Sequence, residues 1–224
     1  MLRIGHRGAA ALAPENSLAA IEAAAEHGID VVELDVQRGP RGLVLAHGPG
    51  VPADAPALDD ALALAVNLGL AVQLDVKVPG VEAEIAAALT RAGVDHRSFV
   101  SSFSLPILAA FARAAPELSR SYTYPEDRLG VTGVRALRPA VRGGLMLLRA
   151  ALPRRLPRWL RAGGASAATL NWTVVSPAAI SVCHELGAAV YVWTVNDRAL
   201  ANALLESGID GIITDDPGIF AGET

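Results

Sequence analysis

Cysteine occurs once in 224 residues, as Cys183, which excludes a disulfide framework and a thiolate zinc site. Any metal must be held by oxygens or imidazoles. Aromatic residues are scarce at 4%, and the net charge is −4. The chain therefore lacks the basic, aromatic-bearing surface of a nucleic-acid binder, and no nucleic-acid partner is expected. Lysine is almost missing too: of 19 lysine and arginine residues only Lys77 is a lysine. No apolar run approaches the roughly 20 residues of a membrane-spanning helix. Because Leu2-Ile4 is needed as a strand and a polar motif begins at Gly5, no signal peptide is expected and the chain is placed in the cytoplasm. What is present, 52% hydrophobic and 19% charged residues, describes one globular domain over 1–224. Nothing in it speaks to oligomeric state.

Short β-rich runs alternate with helical patterns along the whole chain, the mark of repeated βα units around a parallel sheet. Strands are expected near Leu2-Ile4, Val31-Val36, Ala71-Val76, Phe99-Ser102, Ser119-Thr123, Ala167-Leu170, Ala189-Trp193 and Gly211-Thr214. Leu43-Ala46 forms an extra short strand after the second. Asn16 or Ser17 is expected to cap the first helix and Asn196 the last. Eight βα units predict a closed (β/α)8 TIM barrel. The rival open, doubly wound sheet would need a glycine-rich dinucleotide loop after the first strand, and Gly5-His6-Arg7-Gly8 is not G-x-G-x-x-G.

In such a barrel the C-terminal ends of the strands share one mouth. The chemically suspicious residues all fall there: His6 and Arg7, Glu33 and Asp35, His47, Asp75 and Lys77, and Trp193. Residues two apart on a strand share a face, so Glu33 points with Asp35 and Asp75 with Lys77. A single histidine after a strand is more often structural than catalytic. Two inward carboxylates are costlier to explain, because each needs a cation or a salt bridge with Arg7 or Lys77. The compact ammonium of Lys77 suits a phosphate oxygen or a crowded metal site.

With these residues in view, the chain resembles the glycerophosphodiester phosphodiesterase family almost end to end. The likeness is carried by His6-Arg7-Gly8 with Pro14-Glu15-Asn16-Ser17, by Glu33-Leu34-Asp35-Val36, His47, Asp75-Val76-Lys77 and Ser102-Phe103, and by Val192-Trp193-Thr194-Val195-Asn196. The resemblance implies a TIM barrel that hydrolyses a phosphodiester to an alcohol and glycerol 3-phosphate. It implies Glu33, Asp35 and Asp75 as holders of one divalent cation, Mg²⁺ or Ca²⁺. His6 and His47 become acid and base in an order left open, and Arg7 and Lys77 stabilise transition-state charge. Phe103, Trp193 and Asn16 are expected at the substrate, with Asn16 orienting His6 or capping a helix. Tyr122, Tyr124 and Asn171 extend the expected mouth.

The pattern departs from the family in three places. Gly48 follows His47 where aspartate is usual, Asp75 stands for the usual glutamate, and the family's small insertion after the second strand is nearly absent. The last predicts a low cleft wall and room for a bulkier alcohol. A second unusual stretch, Arg128 to Arg161, holds nine arginines and no acid; it reads either as an outer-ring helix followed by a solvated loop or as a peripheral contact with an anionic membrane surface. Two rival functions follow. One is a lysophospholipase D or phospholipase-like barrel enzyme, the other a catalytically silent phosphate-binding barrel.

Overall fold

The computed structural model describes residues 1–48, 50–126 and 138–221, with 138–140 as backbone only. Strands and helices alternate: β1 (Leu2–Gly5), α1 (Leu18–Glu26), β2 (Val31–Gly39), β3 (Gly42–Leu45), α2 (Leu58–Asn67), β4 (Ala71–Val76), α3 (Glu82–Ala92), β5 (Phe99–Ser102) and α4 (Leu105–Ala114). The second half continues with β6 (Ser119–Tyr124), α5 (Arg138–Gly163), β7 (Ala167–Asn171), α6 (Pro177–Glu185), β8 (Ala189–Trp193), α7 (Arg198–Glu206) and β9 (Gly211–Thr214). β1 pairs in parallel with both β9 and β2, which closes the sheet. The result is the expected barrel, eight parallel strands ringed by helices, and β3 is the expected extra strand, antiparallel on the end of β2.

Alternation along each strand sorts residues to two sides of the sheet. In β2, Val32, Leu34 and Val36 join Val72, Leu74 and Val76 of β4 in the large core under the helices. The opposite side of the same strands carries Glu33, Asp35, Gln73 and Asp75. Inside the barrel, Ile4, Val31, Phe99 and Ile213 form a small apolar plug. Polar Gln73, Ser101, Ser121, Thr123 and Thr169 are also buried. This inner shell is partly self-satisfied, with the Ser121 and Thr169 hydroxyls 2.7 Å apart.

Helix starts refine two expectations. Ser17 caps α1, its Oγ accepting from Ala20 N at 3.1 Å. Asp197, not Asn196, caps α7 by accepting from Leu200 N at 2.8 Å. A capping oxygen must reach an N–H two or three residues on, and Asn16 and Asn196 each sit one residue too early. Both amides are used instead at the barrel mouth. α5 differs from the other outer helices in its 26-residue length and in its internal Pro153 and Pro157. Among the described residues no helix is long and apolar enough to cross a membrane.

Candidate active site

A cavity of about 570 Å³ opens at the C-terminal ends of the strands. His6, Arg7, Glu33, Asp35, His47 and Asp75 line it, with Lys77, Phe103 and Trp193. The turn after β1 shows what holds them in place. Arg7 has φ of 53° and Gly8 of 89°. A Cβ on Gly8 would lie 2.6 Å from the backbone of Ala20, so the glycine is required both for its left-handed conformation and for close approach to α1. The strained Arg7 backbone is held at both ends: its N–H donates to Glu33 Oε2 at 2.9 Å, and its carbonyl accepts from Asn16 N at 3.0 Å.

Asn16 is buried and also left-handed, with φ of 56°, a conformation asparagine tolerates better than most residues. Its Oδ1 accepts from Asp35 N at 3.0 Å and its Nδ2 donates to Asp35 Oδ2 at 2.9 Å. Ser17 rather than Asn16 is therefore the cap, and the Asn16 amide clamps Asp35 instead of orienting His6. Sequence proximity to His6 gave no hint of this, because the contact crosses 19 residues.

Glu33, Asp35 and Asp75 are all buried, with one oxygen from each lying within 4.8 Å of the others. The register explains the cluster, since Asp35 and Asp75 are paired neighbours on β2 and β4. Lys77 bridges them. Its Nζ is 2.8 Å from Asp35 Oδ1 and donates a short hydrogen bond to Asp75 Oδ2. Arg7 Nε stands 3.2 Å from Asp35 Oδ2, while its Nη1 pairs closely with Glu15. Ser101 Oγ donates to Asp75 Oδ1 at 2.7 Å and accepts from Gln73 Nε2 at 3.0 Å. Thus the short third carboxylate is fixed from two sides.

Electrostatics show that these cations do not fully balance the cluster. Burial and then the neighbouring Asp35 charge push Glu33 up to about 7. Asp35 is lowered: burial opposes ionisation, but Lys77, Arg7 and the Asn16 hydrogen bond outweigh it. Three hard oxygen donors with residual negative charge, each carboxylate keeping spare lone pairs, fit a hard divalent cation.

The two histidines are held differently. His6 Nδ1 is 2.6 Å from Asp215 Oδ1, and Asn196 Nδ2 donates to the other oxygen of Asp215 at 2.6 Å. Asn196 Oδ1 in turn accepts from Asp215 N at 2.9 Å. His6 Nε2 is left facing Glu33 Oε2 at 4.0 Å. Burial lowers the His6 pKa, but the Asp215 hydrogen bond and the Glu33 charge reverse this and raise it. His47 lies on the exposed turn after β3 and is lowered, by burial of part of its ring first and by Arg7 and Lys77 beyond it, against the pull of Asp35. Gln37 steadies that turn, its Nε2 donating to the carbonyls of Ala46 and Gly48.

The aromatic wall is as expected. Phe103 and Trp193 meet edge to face, with centroids 5.8 Å apart at 82°, and Lys77 Nζ lies 5.4 Å from the Phe103 ring centre. Tyr122 and Tyr124 do not reach the mouth: they pack with Trp159 of α5 on the outer side of the sheet. Asn171 turns back on its own chain, accepting from Thr173 N at 3.0 Å. Asp215 was missed altogether, although a carboxylate directly after the last strand satisfies the same rim criterion that singled out the others.

Comparison with known proteins shows the family and agrees with the fold. A sequence model described as the glycerophosphoryl diester phosphodiesterase family matches residues 6–40 and 55–219. The unmatched gap holds His47 and the shortened connection to α2. A glycerophosphodiester phosphodiesterase of Caldanaerobacter subterraneus subsp. tengcongensis is 25% identical over 96% of this chain and 94% of its own length. Among solved structures, a glycerophosphodiester phosphodiesterase from Agrobacterium tumefaciens is similar with a TM-score of 0.75 at 22% identity, covering 99% of both chains. An Oleispira antarctica phosphodiesterase in complex with its product sn-glycerol-3-phosphate gives a TM-score of 0.72 at 23% identity, covering 97% of this chain and 94% of that one.

Proposed function

Since the chain belongs to the glycerophosphoryl diester phosphodiesterase family, we propose that its single 1–224 domain hydrolyses a glycerophosphodiester to an alcohol and glycerol 3-phosphate, using one divalent cation and two histidines. The observation that carries this reading is the meeting of His6, Arg7, Lys77 and the Glu33–Asp35–Asp75 cluster in one cavity. Glu33, Asp35 and Asp75 would hold Mg²⁺ or Ca²⁺. When bound, that cation supplies a Lewis acid for phosphate oxygens. The product found in the Oleispira antarctica phosphodiesterase supports glycerol 3-phosphate as the retained half.

The opposed shifts of the histidines divide their work. His47, whose pKa is lowered by partial burial and by Arg7 and Lys77, is the base that takes the proton of the attacking water. His6, whose pKa is raised by the Asp215 hydrogen bond and the Glu33 charge, is the better proton holder of the two and the acid that protonates the leaving alkoxide, with Asp215 holding Nδ1. Arg7 and Lys77 set fixed positive charge where negative charge builds on phosphate. Phe103 and Trp193 exclude water on the side of the carbon skeleton.

The pH dependence follows in sign. Activity falls at low pH as His47 gains its proton, and at high pH as His6 loses its own. Asp215→Asn removes a group that raises the His6 pKa, so the alkaline limb of the kcat/KM profile should move to lower pH while the acid limb stays. An unmoved alkaline limb would assign it to another group.

A panel of glycerophosphodiesters and lysophospholipids, assayed with Mg²⁺, Ca²⁺ or chelator, tests the function itself. Turnover should require the cation and be abolished by chelator. Only residues 46–57 join β3 to α2, which leaves His47 exposed on that side and favours bulky alcohols. Lysophospholipid turnover matching that of water-soluble diesters would move the assignment to a lysophospholipase D activity. Absence of turnover on every substrate with either cation would refute catalysis and leave a phosphate-binding barrel.

A further inference from the structure

We propose that the first half of α5, together with Trp172 on the barrel rim, forms a docking surface for an anionic phospholipid bilayer. The sequence expectation of membrane contact covered 128–161, of which 128–137 lie outside the described residues. The remainder divides into two parts with different environments. From Leu152 onward α5 behaves as an outer-ring helix: Leu152, Leu156 and Leu160, four apart, are buried in the main core. The other outer helices run only 9 to 11 residues, and in the extra length before Leu152 only Leu145 and Leu148 pack, partly buried, against that core.

Among the described residues the outward side of that stretch is apolar and exposed. Met146 is 66% and Leu147 74% exposed, and Trp172 is 43% exposed. A Cβ placed on Gly143 or Gly144 would meet nothing within 4 Å. Pro153, lacking an N–H, leaves the Arg149 carbonyl without a helical donor and marks the boundary between the two halves. Between this stretch and helices α6 and α7 lies a groove of about 700 Å³, lined by Leu145, Met146, Trp172, Ile180 and Leu204 and edged by Arg142 and Arg149.

Charge decides the occupant. Residues 128–161 contain nine arginines and no acid in a chain of net charge −4. Arg142 and Arg149, the two arginines at the groove, form no ion pair among the described residues. Unneutralised guanidiniums around an apolar groove match phosphate headgroups above acyl chains, and a bilayer provides both at once. A second copy of this chain fits poorly, because a two-fold contact would set the same arginines against themselves. No described helix can span the bilayer, so the contact lies on the surface.

The groove lies beside the cavity rim. Trp172 directly follows β7, its N–H donates to the carbonyl of Trp193 at 3.0 Å, and Trp193 walls the cavity. Docking would therefore bring the rim of the barrel beside the lipid surface. The binding itself does not depend on the proposed hydrolysis, and the two are measured separately.

Sedimentation of the full chain with phosphatidylcholine vesicles, and with vesicles in which phosphatidylglycerol replaces part of the phosphatidylcholine, tests this. The parent should bind the anionic vesicles preferentially and release them at high salt. Arg142→Gln with Arg149→Gln should weaken binding about 25-fold, at about fivefold for each guanidinium removed from an anionic surface. Leu147→Gln with Met146→Gln should weaken it without changing its salt dependence. Both variants should keep the parent's melting temperature and its turnover of a water-soluble diester. Equal binding to both vesicle types, or undiminished binding by both variants, would overturn the proposal. So would self-association of the parent that Leu147→Gln abolishes in the absence of vesicle binding.

Discussion

His47→Ala should lower kcat by about 10²- to 10⁴-fold, the usual worth of a positioned acid or base, with the fold unaffected. His47 is exposed and forms no hydrogen bond among the described residues, so its loss removes no packing and leaves no buried group unpaired. A surface change of this kind is expected within about 0.5 kcal/mol of the parent in stability. KM should change little, because the proposed function assigns phosphate binding to Arg7 and Lys77 on other strands. The acid limb of the pH profile should vanish with the residue that produces it. Single-turnover rates across pH, with melting temperature as the control, check all three points. The test matters because His47 lies in the one internal stretch that the family match omits, 41–54, so its role rests on its place at the cavity. A variant with parental kcat would remove His47 from the chemistry.

Lys77→Met should damage both catalysis and folding, and should make the fold depend on divalent cation. The ammonium sits between the buried Asp35 and Asp75, whose charges, with that of Glu33, hold its pKa well above the ordinary lysine value despite burial. Methionine keeps much of the stem's bulk but leaves the carboxylates facing one another. Breaking a buried pair by removing one partner costs about 3–5 kcal/mol, which for a domain of this size lowers Tm by roughly 6–20 °C. Adding Mg²⁺ or Ca²⁺ should recover more of the Tm in the variant than in the parent, since the cation then supplies the missing neutralisation. Activity should fall by about 10²- to 10³-fold even with cation saturating, through loss of charge at the developing phosphate anion. Thermal melts with chelator and with each cation separate the effects. An equal cation-induced rise in parent and variant would show that Lys77 does not share the acid cluster's charge balance.

Much of the barrel could be read directly from residue order. Ala71–Val76, Phe99–Ser102, Ala189–Trp193 and Gly211–Thr214 are strands over the same residues as expected, because apolar and β-branched runs bounded by helix and turn residues carry a local signal. The period of two along a strand likewise set Glu33 beside Asp35. Where the reading went wrong, a local rule was applied to a side chain with a distant partner. Asn16 and Asn196 carry the chemistry of helix caps, but their amides reach Asp35 and Asp215 across 19 residues each. Tyr122 and Tyr124 stand near the end of a strand, yet pack outward on Trp159, because a strand has two faces and only the register tells them apart.

By itself the sequence determined the class of architecture, the strand that bears each acid and the kinds of group available, since periodicity and residue chemistry are properties of the chain in order. Tertiary structure decided how those groups act. Closure of β1 onto β9 set Asp215 against His6, the β2–β4 register set Asp35 beside Asp75 with Lys77 between them, and the uneven surroundings drove the two histidines to opposite sides of their ordinary pKa. Each of these depends on distances between residues far apart in the chain, and charge and hydrogen bonding act through space rather than along the backbone.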